Sequence, residues 1–101
     1  MSSGEYQLKC RVRQGMFPDE YLVIVEAIDE KGQRVQMVAF ADKEELELAS
    51  FPKGSEDVEG LLSVSTLEIK DRLASVVLPK PTFSNGPVVS IDASDLIPVG
   101  G

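Results

Sequence analysis

Histidine and tryptophan are absent from this sequence of 101 residues, and cysteine occurs once. Without histidine there is no imidazole to act as a general base, to activate a serine or cysteine nucleophile, or to bind zinc. The single cysteine, Cys10, excludes an intramolecular disulfide and therefore the disulfide-stapled class of small secreted domains. These absences favour a protein without enzymatic activity.

Other signatures of chemistry are missing as well. The sequence contains neither of the glycine-rich patterns that cradle phosphates, and no stretch fits a calcium-binding loop. Acidic residues do crowd between Ala41 and Gly60, where seven carboxylates accompany two lysines. Such a run is most often a solvated surface. We therefore predict no bound metal and no cofactor.

The composition predicts one soluble globular domain spanning residues 1–101. Hydrophobic residues make up 43% and charged residues 27% of the chain, as is ordinary for a folded domain. The longest apolar run, Tyr21 to Val25, is too short to cross a bilayer, and the first residues lack the pattern of a signal peptide. We expect a cytoplasmic protein, and its net charge of −7 disfavours nucleic acid and membranes as partners.

Alternation of apolar and polar residues predicts a three-stranded antiparallel meander at the start of the chain. Between Tyr6 and Val12 the alternation is strict, so the first strand has one buried face. Cys10 lies on that face, which predicts a buried structural thiol. A second strand is predicted from Glu20 to Ile28 and a third from Arg34 to Ala41, joined by a hairpin loop.

The second and third predicted strands are apolar on both faces. One face of this pair carries Leu22, Ile24, Val38 and Phe40. Strands of this kind are usually buried on both sides. The sequence therefore predicts that something covers these four residues: a helix, the rest of the sheet, or a second copy of the chain in a homodimer.

Helix is scarce in the pattern. Segment 42–49 begins with capping residues and favours a short helix, although Leu46 and Leu48 lie two apart, as in a strand. One further helical turn is predicted at 92–96.

Three more strands are predicted, at 61–69, 72–78 and 88–92. Pro79 and Pro81 are expected to end pairing of the fifth strand, because proline has no N–H to donate. No internal repeat is apparent. The pattern predicts an all-β fold, a small antiparallel β-barrel or compact sandwich of about six strands. In architecture it resembles SH3-like and OB-like barrels.

Two surface features have alternative interpretations. The loop Met16-Phe17-Pro18 either tucks under the barrel as a plug or forms an exposed anchor for a protein partner. Lys9, Arg11 and Arg13 line the wet face of the first strand, which favours either binding of single-stranded nucleic acid or a solubilised strand paired with acids.

The chain stops at Gly100-Gly101. This tail resembles those of ubiquitin-like sulfur carriers such as the small subunit of molybdopterin synthase. The resemblance implies that the terminal glycine is activated as an adenylate and a thiocarboxylate. The rest of the sequence departs from that family, because a third strand intervenes where a β-grasp fold has its long helix. A flexible glycine end is the alternative.

Together these features predict a non-enzymatic protein-binding or assembly module. Its expected binding residues are Met16, Phe17, Pro18, Leu22, Ile24, Val38 and Phe40. A homodimer formed through the second face of the second and third strands is a related interpretation. The alternatives are a carrier acting through Gly100 and Gly101, and a barrel that binds single-stranded nucleic acid through Lys9, Arg11 and Arg13.

Overall fold

The computed structural model describes residues 5–54, 56–83 and 86–99, and its strands confirm the predicted all-β class. A closed antiparallel β-barrel of five strands is extended by further strands and by two isolated 3₁₀ turns. The strands are β1 (Glu5–Gln14), β2 (Glu20–Ile28), β3 (Arg34–Asp42), β4 (Leu46–Leu48), β5 (Val58–Lys70), β6 (Leu73–Thr82), β7 (Gly86–Asp92) and β8 (Leu96–Pro98).

The barrel closes in the order β1, β2, β3, β6, β5 and back to β1, with every pairing antiparallel. In a closed ring of five strands, neighbouring strands cannot all run in opposite directions. One strand must therefore bend, so that its two halves pair antiparallel with two different neighbours. β6 makes this turn. Its first half pairs with β5, its register breaks between Val77 and Thr82, and Thr82 then pairs with Ala39 of β3. Pro79 and Pro81 lie in the break, where the ladder requires no N–H donor.

Inward-facing side chains from six strands fill the barrel. Every second residue of β2 is buried, as its alternation predicts. Cys10 is buried on the inner face of β1, as expected. The largest side chains that are fully enclosed are Leu8, Val12, Val23, Val25, Leu62, Val76 and Ile91.

Segment 42–49 is shorter in helix and richer in strand than expected. Only Lys43–Glu45 form a 3₁₀ turn, in which the Glu45 side chain accepts a hydrogen bond from the backbone N–H of Asp42 at 2.8 Å. Leu46–Leu48 then form β4 and pair with β5. The two-residue spacing of the leucines therefore outweighs the helix propensity of the glutamates, because pairing with β5 half-buries both leucines.

The fold contains an internal repeat, so the prediction that there is none was wrong. The unit β1–β2–β3–3₁₀ turn–β4 recurs as β5–β6–β7–3₁₀ turn–β8. Its registers match: Val23 pairs with Ala39 in the first unit, and Val76 pairs with Val89 in the second. Leu8 and Leu62 hold equivalent positions and pair with each other where β1 meets β5, so a pseudo-twofold axis passes between them.

The last strand of each unit pairs with the first strand of the other unit. β4 pairs with β5, the first strand of the second unit, and β8 pairs with β1, the first strand of the first. The repeat is faint in sequence because equivalent residues lie 54 apart in β1/β5 but 50 apart from β3/β7 onward. Identical equivalent pairs include Leu8/Leu62, Val23/Val76, Val38/Val88, Asp42/Asp92 and Leu46/Leu96.

Candidate protein-binding surface

The outer face of β2 and β3 carries apolar side chains that the described chain covers only in part. Leu22 lies opposite Phe40, and Ile24 lies opposite Val38. Leu22, Ile24 and Val38 are half-buried, and Phe40 is 37% exposed. The cover expected from the sequence is therefore incomplete within a single copy.

Phe83, which sequence reasoning missed, completes this surface. It follows β6, its N–H donates to the carbonyl oxygen of Val38 at 2.8 Å, and its ring lies 4.9 Å from that of Phe40. Phe83 is itself 58% exposed. No local pattern marks it, because the turn of β6 brings it to β3. We name the set Leu22, Ile24, Val38, Phe40 and Phe83 the β2–β3 patch.

An acidic groove of ≈ 950 Å³ borders the patch and shares Ile24 with it. It runs along the outer face of β1, β2 and β5. Two bases, Lys9 and Arg11, line it together with five acids, which are Glu26, Glu47, Asp57, Glu59 and Asp95. The patch therefore has an apolar centre beside a negative field, which favours positive groups on anything that docks there.

Two of the three predicted basic residues are engaged by one acid. Arg13 Nε donates to Asp57 Oδ1 at 2.7 Å, and Arg11 lies 3.3 Å from the other carboxylate oxygen. Asp57 is only 13% exposed, and its hydrogen bond from Arg13 lowers the pKa of the carboxyl group. Lys9 stays exposed. On the neighbouring strand β2, Leu22 lies opposite Arg13 and Ile24 lies opposite Arg11, so neither arginine has an aromatic residue opposite it on β2 for a base to stack on.

The Met16-Phe17-Pro18 loop does not tuck under the barrel. Met16 is 90% and Phe17 65% exposed, and Pro18 is exposed as well. The loop is held by its own bonds, since Gly15 N–H donates to Glu20 O at 2.9 Å and Glu20 N–H donates to Phe17 O at 3.1 Å. The plug interpretation is therefore wrong, and the loop stays a predicted anchor at the same end of β2 as Leu22.

The segment that follows β4, which includes Phe51 and Pro52, covers the core near Tyr21, where the Met16-Phe17-Pro18 loop does not. The ring of Phe51 stacks on Tyr21 with centroids 6.2 Å apart, Lys43 Nζ lies 5.1 Å from the Phe51 centroid, and Pro52 is buried.

Reactive and metal-binding groups are few in the part of the chain that the structure describes. The Cys10 thiol donates to Gly60 O at 3.6 Å, and burial raises its pKa to about 12. No three acidic or cysteine side chains among the described residues are placed to hold a metal ion. Within those residues, too, no helix has the length and apolarity to span a membrane. Gly100 and Gly101 lie outside the described residues.

Comparisons with protein-family models, with curated proteins and with solved structures found no match to this chain.

Proposed function

We propose that this protein is a non-enzymatic binding module whose β2–β3 patch docks on an apolar, basic-rimmed surface of a partner protein. One observation carries the proposal: the exposed rings of Phe40 and Phe83 pack against each other at an angle of 56°, over a sheet face that is apolar yet only half-buried. Paired exposed aromatics on a rigid sheet are typical of the anchors that dominate protein interfaces.

Charge decides the kind of partner. The chain carries a net charge of −7, and the groove beside the patch is lined by more acids than bases. Like charges across an interface are costly, whereas opposite charges speed the encounter and fix its register. The proposed partner therefore has apolar side chains at its centre and lysine or arginine at its rim.

The non-enzymatic part of the proposal rests on the available side chains. The sequence has no histidine, and the Cys10 thiol is buried with a raised pKa, so it is protonated at neutral pH. The proposed cytoplasmic location remains a prediction from the sequence and suits a protein with one reduced thiol.

A homodimer through the same patch is the second proposal. A second copy supplies the apolar surface, but it also brings another net charge of −7 and another acidic groove, so charge opposes the association. Light scattering separates the two proposals. If the patch binds a different protein, the isolated chain should be a monomer of 11.0 kDa at all concentrations, whereas a homodimer should have twice that mass.

The remaining alternatives stay as predictions. Nucleic-acid binding has lost support because Asp57 engages Arg11 and Arg13. The carrier role of Gly100 and Gly101 predicts a thiocarboxylate at Gly101 after incubation with ATP and an activating enzyme, which mass spectrometry detects.

Photo-cross-linking in the source cells tests the proposed function. A benzoylphenylalanine at position 40 should give a discrete adduct with a heterologous protein, since the patch lies within the interface. The matched control carries the same group at Leu67, which is 63% exposed on β5.

The same adducts from positions 40 and 67, or no adduct from position 40, would contradict the proposal that the β2–β3 patch binds a partner. An adduct of twice the chain's mass would support the homodimer instead.

A further inference from the structure

The two repeat units meet across an interface that is symmetric about the pseudo-twofold axis. A row of four leucines crosses it, in the order Leu46 of β4, Leu62 of β5, Leu8 of β1 and Leu96 of β8, each opposite the next. Leu8 and Leu62 are equivalent in the two units, and so are Leu46 and Leu96. Each unit therefore presents the same surface to the other, as the two subunits of a symmetric homodimer do.

Each unit is completed by the other. Among the described residues, β4 pairs with β5 and with no strand of its own unit, and β8 pairs with β1 in the same way. The core is shared as well. Its largest enclosed side chains are Leu8, Val12, Val23 and Val25 from the first unit and Leu62, Val76 and Ile91 from the second. The partner that fits either unit is therefore a unit of the other kind.

One connection, residues 49–57, determines which two units pair. It joins the end of β4 to the start of β5, and these strands are neighbours, since Leu48 lies opposite Gly60. The chain therefore reverses its direction between them, as in a hairpin. The connection has nine residues, whereas a tight hairpin needs as few as about two. Its length allows β4 to pair with the β5 of the same chain.

The side chains of this connection dock on the first unit. Phe51 stacks on Tyr21, with ring centroids 6.2 Å apart. Asp57 accepts from Arg13 at 2.7 Å and lies 3.3 Å from Arg11. These contacts hold the connection against β1 and β2, but they lie outside the ladders by which the two units pair. Its length and its docking contacts can therefore be changed separately.

A chain without the connection cannot make the same reversal. If Leu48 were bonded directly to Val58, the next two residues would have to turn. Val58 and Glu59 are instead extended, since they pair with Val12 and Arg11 of β1. The joined β4 and β5 would therefore run on as one straight strand. Two such chains restore all the pairings reciprocally, because β4 of each copy then lies on β5 of the other.

We propose that the two units are exchangeable between two copies of this chain, and that the length of residues 49–57 keeps them paired within one copy. In the exchanged dimer, the first unit of each copy forms a barrel with the second unit of the other. The interface and the core are those of the monomer, so the occupant is a second copy of this chain.

The native chain remains a monomer because its two units are tethered. A short connection gives them an effective concentration on the order of millimolar, which exceeds that of a second copy in ordinary solution. Each rebuilt barrel keeps its β2–β3 patch, so the exchange of units does not depend on the proposed function.

Deletion of residues 49–57 tests the role of length. The shortened chain should be a folded dimer by light scattering and circular dichroism. The matched control replaces the same nine residues with glycine and serine. It loses the same docking contacts but keeps the length, and it should be a monomer. Adding Phe40→Ser to the shortened chain should leave the dimer intact, which distinguishes exchange of units from association through the β2–β3 patch.

A second test keeps the native connection. Leu8→Asp damages the first unit and Leu62→Asp the second, and each should unfold a single chain, since these leucines are 1% and 0% exposed. Refolded together, the two variants supply one intact unit of each kind, and a cooperative thermal transition should return. Leu8→Asp mixed with Val12→Asp is the matched control. Both damage the first unit, so no complete barrel can form and no transition should appear.

A shortened chain that stays monomeric, or a glycine–serine control that dimerises, would overturn the role of length. A dimer of the shortened chain that Phe40→Ser dissociates would assign the association to the patch and overturn the exchange. The exchange would also be overturned if the mixture of Leu8→Asp and Leu62→Asp showed no transition, or no more than the control mixture shows.

Discussion

At the scale of single residues, the two repeats differ at one inward-facing position, which is apolar in the first repeat and polar in the second. Val12 in β1 and Thr66 in β5 are equivalent, since Val12 pairs with Val23 and Thr66 pairs with Val76. The Thr66 hydroxyl is buried and has no hydrogen-bond partner. A buried polar group without a partner costs free energy that a methyl group in its place does not.

Thr66→Val should therefore stabilise the protein, by about 1 kcal/mol, because it removes that unsatisfied hydroxyl at nearly constant volume. Chemical denaturation with unchanged slope measures the difference. Thr82→Val is the contrasting variant, since Thr82 Oγ1 donates to Gly86 O at 2.8 Å, and it should destabilise. Equal or lower stability of Thr66→Val would show that the hydroxyl is satisfied in solution.

Cys10 is the second residue whose chemistry follows from its burial. Because burial raises its pKa to about 12, the Cys10 thiol is protonated at pH 8. Native protein should therefore react with a disulfide reagent only after unfolding, and in guanidinium the thiol should react at once. Rapid labelling of folded protein would contradict the position of Cys10 in the core.

At the scale of elements, one acid, Asp57, ties the loop before β5 to β1 through two ion pairs. Asp57 sits between Arg11 and Arg13, and its pKa is lowered, first by the hydrogen bond from Arg13. A carboxyl group with a lower pKa in the folded state stabilises the fold above its unfolded pKa, and this contribution is lost as pH falls through the folded value.

Asp57→Asn should therefore lower the free energy of unfolding at pH 7, and its difference from the wild type should shrink as the solution is acidified below about pH 4. Thermal unfolding across this pH range measures it. Glu56→Gln removes a neighbouring exposed charge outside the ion pair and serves as the control. A difference that persists unchanged at low pH would mean that the Asp57 carboxylate does not stabilise β1.

The elements also show what the sequence could predict. The strict alternation of apolar and polar residues was sufficient to predict β1. The hairpin signals placed the ends of β2 and β3 within a few residues. Both predictions were possible because each of these strands has a continuous inner face. Segment 42–49 was harder, since local capping chemistry and pairing with β5 favour different structures there. The end of β6 could not be predicted, because Thr82 meets β3 only after the strand turns.

At the scale of the whole molecule, the candidate site combines residues that are distant in the sequence. The β2–β3 patch was predicted from apolar residues on the second face of β2 and β3, but Phe83 and the acidic groove depend on contacts between distant segments.

The most direct test of the binding function is a titration of the purified cross-linked partner against wild type and Phe40→Ser. Phe40 lies outside the core, so the variant should fold normally. As an anchor residue, its loss should weaken binding by at least about thirtyfold, while Leu67→Ser should bind as wild type does. Equal affinity of Phe40→Ser and wild type for that partner would contradict the account.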